Sequence, residues 1–155
     1  MTEKTNLYPK KETVFIVEFM EMFHKQCFKQ FPYWKFKSHG EPMQVRGIPD
    51  ILMCFGGLFI AIEFKIMRSG HLAVTPLQDW TMGEITNAGG TAIVVWYDTT
   101  NKNVGIGSER FDNKKEAVEH LLSIIEPMAK IIKDVQEKLK NIDGGNFEIA
   151  RFPVK

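Results

Sequence analysis

A chain of 155 residues with a formal net charge of +1, 44% hydrophobic and 25% charged residues has the composition of an ordinary globular protein, and its 12 Phe and 8 Met exclude disorder as the main state. Cys27 and Cys54 sit in apolar stretches without metal-ligand spacing, which argues against a disulfide framework or a zinc site and fits a reducing cytoplasm. No apolar run approaches the roughly 18 residues of a membrane span, and the polar start Met1-Thr2-Glu3-Lys4-Thr5-Asn6 does not read as a signal peptide.

Residues 10–30 read as a helix, with Glu12, Ile16, Phe19, Phe23 and Cys27 near one stripe and Glu18, Glu21, Lys25 and Lys29 on the polar side. Pro32 ends that pattern. Trp34 to Lys37 alternates aromatic and basic residues as a short strand does, and Ser38 to Pro42 is a loop by composition. Ile48 to Phe55 is a second strand, turned by Gly56-Gly57 into a third, Leu58 to Ile66, whose apolar run suits a strand buried on both faces. Thr75-Pro76 starts a helix, with Thr75 as N-cap, that runs to about Asn87 and stops at Gly89-Gly90. Thr91 to Tyr97 is a fourth strand and Val104 to Gly107 a fifth. A helix follows over Lys114 to Ile125, Pro127 starts or kinks another to about Lys140, and Phe147 to Phe152 adds a terminal strand. Trp34, Trp80 and Trp96 read as core or interface residues, with Trp34, beside lysines, also able to stack on a base. The order predicts one α/β domain, a mixed sheet flanked by helices, with a core over about 10–110 and a C-terminal helical extension over about 113–155.

The near-zero net charge conceals a pattern. Residues 1–48 carry eight Lys/Arg against five Asp/Glu, residues 49–98 two against five, and residues 99–155 ten against nine. The middle segment is both the most apolar and the most acidic, and acids are depleted on strands, so each one there needs a reason. Glu63 and Lys65, two apart on a strand, point to one face. From Asp50 to Gly56 and back from Gly57 to Glu63 is six steps each way, which sets Asp50 beside Glu63 across the hairpin. Two carboxylates and an ammonium then crowd one end of a buried sheet, where repulsion and desolvation penalise them. A divalent cation resolves the conflict: Mg²⁺ takes one or two carboxylates plus waters and phosphate oxygens, and can activate water and stabilise a leaving oxygen. The plainer alternative is a turn-capping Asp50 and a simple Glu63–Lys65 ion pair.

Pro49-Asp50, a spacer and Glu63-Phe64-Lys65, with Gly47 before them, Gln78 early in the next helix, and Gly89-Gly90 leading into an apolar strand, resemble the PD-(D/E)xK nuclease superfamily. The likeness, over residues 10 to 98, is nearest to its VRR-NUC branch and to small Holliday-junction resolvases. It implies a restriction-endonuclease-like fold and a Mg²⁺-dependent DNA endonuclease, with Mn²⁺ as substitute. Asp50, Glu63 and the backbone carbonyl of Phe64 would be metal ligands, Lys65 the catalytic lysine, and Gln78 a support from the helix. The implied substrate is branched DNA, four-way or flap-like, in recombination, repair or phage DNA processing, in the cytoplasm (the host's, if phage-encoded). A sequence-specific restriction-type or nicking enzyme, or a DNA-binding module without catalysis, are the alternatives.

The family adds a glutamate from the first helix. Glu12 lies on the apolar stripe, where a solvated charge is out of place, and is preferred over Glu18; the plain alternative for Glu12 is an acid in the first turn favoured by the helix dipole. Lys35, Lys37, His39 and Arg46 before Asp50, and Arg68, Ser69 and His71 after Lys65, are candidate DNA contacts. The apolar stripe Leu121, Ile124, Ile125, Met128, Ile131, Ile132, Val135 and Leu139 either covers the sheet or forms a homodimer interface, the latter suiting a two-fold junction.

Overall fold

The computed structural model of the protein describes residues 7–27, 31–38 and 46–142. In chain order these form α1 (Leu7–Cys27), β1 (Tyr33–Lys37), β2 (Ile51–Phe55), β3 (Leu58–Met67), α2 (Pro76–Asn87), β4 (Thr91–Asp98), β5 (Val104–Ile106), β6 (Glu109–Phe111) and α3 (Lys114–Ile142). The six strands make one mixed sheet whose spatial order follows the chain. Only β3 and β4 run parallel; the other neighbours are antiparallel. Parallel neighbours need a crossover, and α2 supplies it.

The two faces of the sheet differ. Along β3, Ile60, Ile62 and Phe64 join one buried cluster with Phe15, Phe19 and Phe23 of α1 and Val118, Leu121 and Ile125 of α3. Phe64 lies at the centre, its ring edge-on to Phe15 and Phe19 at 5.6 and 5.5 Å. Strand alternation turns Ala61, Glu63 and Lys65 to the opposite face, the side of α2. The hairpin between β2 and β3 turns on Gly56 and Gly57, both left-handed at φ 55° and 89°. A Cβ on Gly57 would also approach the Ile132 side chain to 2.8 Å, so a larger residue in that turn must push that side chain aside as well as adopt a left-handed backbone.

Several boundaries differ from expectation for local reasons. Helix α1 begins three residues earlier than predicted, at Leu7. The β2 ladder begins at Ile51 rather than Ile48, because Pro49 has no N–H to give. A short strand absent from the prediction, β6, pairs Ile106 with Glu109 across Gly107-Ser108. The two C-terminal helices are one, with Pro127 inside it. The proline removes one helical hydrogen bond, but Leu122, Ile125 and Ala129 are buried on both sides of it, and that packing carries the helix through. The α3 stripe divides: Leu121 and Ile125 are core and Ile132 packs against it, whereas Ile124, Met128, Ile131, Val135 and Leu139 are exposed. Trp96 is buried, but Trp34 and Trp80 are 64% and 63% exposed, contrary to a core role. The expected terminal strand over 147–152 and the loop over 39–42 lie outside the described residues. Among the described residues no helix is long and apolar enough to cross a membrane.

Candidate active site

The register of the β2–β3 hairpin creates the site. Ile51 pairs with Ile62, and the next step outward sets Asp50 level with Glu63. Asp50 is anchored twice: its carbonyl accepts from the backbone N–H of Ser38 at 2.8 Å, and its Oδ2 accepts from the backbone N–H of Phe64 at 2.7 Å. Glu63 lies inside the ten-residue β3, level with Val94 of β4, and is 1% exposed.

The two oxygens of Glu63 have unlike surroundings. Oε1 lies 2.6 Å from Lys65 Nζ and also accepts from Nε2 of Gln78. Oε2 is buried and has no hydrogen-bond partner among the described residues. A buried oxygen in that state is destabilising by about 1–3 kcal/mol. Burial accordingly pushes the Glu63 carboxyl up to about 7, with the charges of Asp50 and Glu12 adding and Lys65 opposing. Burial also raises Asp50, against the Phe64 N–H, Lys65 and Lys37.

Glu12 comes from the layer across the sheet. It sits in the second turn of α1, whose first turn holds no acid, so the helix dipole does not account for it. Its pKa is raised by burial first and by Asp50 next, with Lys65 and Arg68 opposing, so Glu12 shares the electrostatic environment of the Asp50–Glu63 pair. Glu18, one and a half turns on, is half-exposed and pairs with Lys114 of α3.

Gln78 reaches Glu63 from the third helical position of α2, as expected from its place early in that helix. Thr75 is the N-cap: its Oγ1 accepts from the Gln78 N–H at 3.2 Å, and Gln78 Oε1 accepts from the Thr75 N–H at 3.1 Å. Of the basic residues, Lys37 and Arg68 act electrostatically on Asp50 and Glu12 and so belong to the rim of the site. Lys35 stands two residues back along β1, level with Met53, and Arg46 is exposed ahead of Gly47. Arg68 and His71 close a tight turn through reciprocal backbone bonds of 3.2 and 2.9 Å, with Ser69 and Gly70 left-handed at its tip. His39 lies outside the described residues.

Sequence reasoning missed two residues. Thr75 was legible as a cap but not as part of the site, since its second partner is a side chain that also touches Glu63. Asp98 is the other buried acid of the sheet, and its reason is a turn: Oδ1 accepts from the N–H groups of Thr100 and Asn101, and Oδ2 from Asn101 Nδ2. The dipeptide Asp98-Thr99 before a polar Thr-Asn-Lys-Asn run was the available signal.

Among the described residues no group of three or more His, Cys, Asp and Glu is gathered as a metal cluster. The local donors are instead two neighbouring carboxylates, one with a free buried oxygen, and the Phe64 main chain. That donor set is hard and oxygen-rich, and it suits a cation that keeps several waters, as Mg²⁺ does. No protein-family model matches this sequence, and no curated protein matches it either.

Proposed function

We propose that the protein is a divalent-metal-dependent DNA endonuclease on a PD-(D/E)xK, restriction-endonuclease-like fold, acting on branched DNA. The observation that carries this reading is Glu63. It is a buried carboxylate beside Asp50, with one oxygen held by Lys65 and Gln78 and the other unpartnered. Asp50, Glu63 and the Phe64 carbonyl are the residues that would hold Mg²⁺ or Mn²⁺, with Glu12 adding negative charge from α1. When bound, such an ion supplies Lewis-acid stabilisation of phosphate oxygens and an acidified water.

The remaining work falls to the chain itself. The Phe64 N–H orients Asp50, and Gln78 orients Glu63. Lys65 has three donor hydrogens and gives one to Glu63, so the same ammonium can serve a phosphate oxygen or the attacking water as negative charge develops. Lys37 and Arg68 at the rim, with Arg46, Ser69, His71 and Lys35 around it, would contact the DNA backbone. A net charge of +1 gives little non-specific affinity, so recognition would rest on DNA shape. The exposed Ile124, Met128, Ile131, Val135 and Leu139 of α3 support a homodimer suited to a two-fold substrate, and a cytoplasmic setting belongs to the same reading.

The test is cleavage of a four-way junction, a flap, a single strand and plain duplex, with Mg²⁺ or Mn²⁺, by wild type and Glu63→Ala. Metal-dependent cutting of the branched substrates, lost in the variant, is the expected result. Cutting of plain duplex at fixed sequences would favour a restriction-type enzyme. No cutting and no calorimetric metal binding would leave a DNA-binding module.

A further inference from the structure

The amide of Gln78 is held at its two ends by opposite chemistry. Its Oε1 accepts from the Thr75 backbone N–H and from the Thr75 hydroxyl, each at 3.1 Å. Its Nε2 donates to Glu63 Oε1. Turning the amide over would set an NH₂ against a backbone N–H and a carbonyl oxygen against a carboxylate. The network therefore fixes which end meets Glu63.

That orientation decides the state of Glu63. The oxygens of a free carboxylate are equivalent. Here Oε1 is filled by Gln78 and Lys65, and Oε2 is left buried and open. We infer that Thr75 is a positioning residue: through Gln78 it selects Glu63 Oε2 as the single oxygen presented to a divalent cation. The identity of that cation rests on the nuclease reading above; the amide orientation does not.

Capping a helix needs only an acceptor, and Asp, Asn or Ser serve. Thr75 does more, because its hydroxyl accepts from the Gln78 N–H and donates to Gln78 Oε1. An ionised aspartate caps but cannot donate, and it would face Gln78 Oε1 with a second oxygen. Thr75→Asp should keep α2 capped but set a carboxylate oxygen against Gln78 Oε1 and so drive the amide out of its fixed pose, whereas Thr75→Ser retains both roles.

The experiment compares wild type, Thr75→Asp and Thr75→Ser by thermal melting, Mn²⁺ titration calorimetry, junction cleavage, and the side-chain amide signals of Gln78 in ¹⁵N-labelled protein. Thr75→Asp is expected to melt like wild type. Its Mn²⁺ Kd should weaken and its kcat fall by about tenfold or more, with KM for DNA unchanged. The hydrogen-bonded Nε2 signal expected of wild type should be lost. Added negative charge alone would tighten cation binding, so a weaker Kd reports the amide rather than the charge. Thr75→Ser should restore all three readouts. Wild-type Kd, kcat and amide signal in Thr75→Asp would overturn the inference while leaving the nuclease reading intact. If wild type neither binds Mn²⁺ nor cuts, the nuclease reading fails and the selection of Oε2 for a cation fails with it. The amide signal then still decides the orientation: loss in Thr75→Asp supports it, persistence overturns it.

Discussion

The sheet buries two acids on the same face, and they are opposites. Asp98, at the end of β4, is 2% exposed and has its carboxylate filled by three donors from one turn. The Asn101 side chain, followed by the Thr100 N–H, holds its pKa below the usual range. Glu63, on neighbouring β3, is 1% exposed, keeps one oxygen unpartnered and is pushed up to about 7. Burial is common to both, so burial alone does not set Glu63 apart. An unmet hydrogen-bonding capacity, with a pKa displaced toward neutrality, does, and the proposed site rests on that difference.

The comparison breaks most sharply under exchange of Glu63 for its amide. Glu63→Gln keeps the shape and an acceptor for Gln78 but removes the negative charge. Cleavage should fall by at least about 10²-fold, a loss of the size seen when one transition-state electrostatic contact is removed. Thermal melting at pH 8 without metal should not fall, because the variant no longer buries a charge. A Glu63→Gln protein that cuts like wild type would sink the site. Asp50→Asn should behave the same way for cleavage.

The next effect is on stability against pH. A folded pKa near 7 against an ordinary 4.5 means that folded Glu63 keeps a proton the unfolded chain has lost. Across that interval the folded state binds more protons, so stability falls as pH rises, by on the order of 3 kcal/mol between pH 4.5 and 7. Asp50 and Glu12, also raised, add in the same direction. Asp98 has the opposite sign: its contribution is present above pH 3.8 and is lost as pH falls through its lowered value. Melting in EDTA should therefore decline from pH 5 to 8, and Glu63→Gln should flatten that slope. Mg²⁺ at about 100 times its Kd should return roughly 2.7 kcal/mol at pH 8 to wild type and nothing to the variant. A flat wild-type profile would contradict the raised pKa.

Asp98→Asn sharpens the same contrast from the other side. It removes an acceptor charge that three donors use, so it should lower the melting temperature by a few degrees and leave cleavage of any substrate unchanged. The two acids also show what could be read from sequence. The pairing of Asp50 with Glu63 was legible because a two-residue glycine turn sets the register of everything on both arms of a hairpin. The α2 cap was legible because Thr-Pro-x-Gln is local chemistry. Asp98 was missed, because its donors come from a turn whose shape no periodicity reports. The unbroken α3 was illegible because Pro127 is a local signal overruled by tertiary burial around it. Strand β6 was illegible because Glu109, Arg110 and Phe111 show no alternation.

The smallest effect concerns the two glutamates of α1, a second pair of acids with unlike partners. Glu18 meets Lys114 with side chains 49% and 31% exposed, so the pair is solvent-screened and worth no more than about 1 kcal/mol. Glu18→Gln should change melting slightly, least of all at high salt, and should not touch cleavage. Glu12 is partly buried, and its charge adds to the upward push on Glu63. Glu12→Gln should therefore lower the pH at which Glu63 ionises, flatten the metal-free protein's loss of stability toward high pH, and weaken Mn²⁺ binding by removing a nearby negative charge. The decisive reading is the difference between the two variants in one Mn²⁺ titration. A weaker Kd for Glu12→Gln alone places α1 at the metal site through its second turn. Equal, unchanged affinities would confine the site to β2, β3 and α2, with α1 serving only the core beneath it.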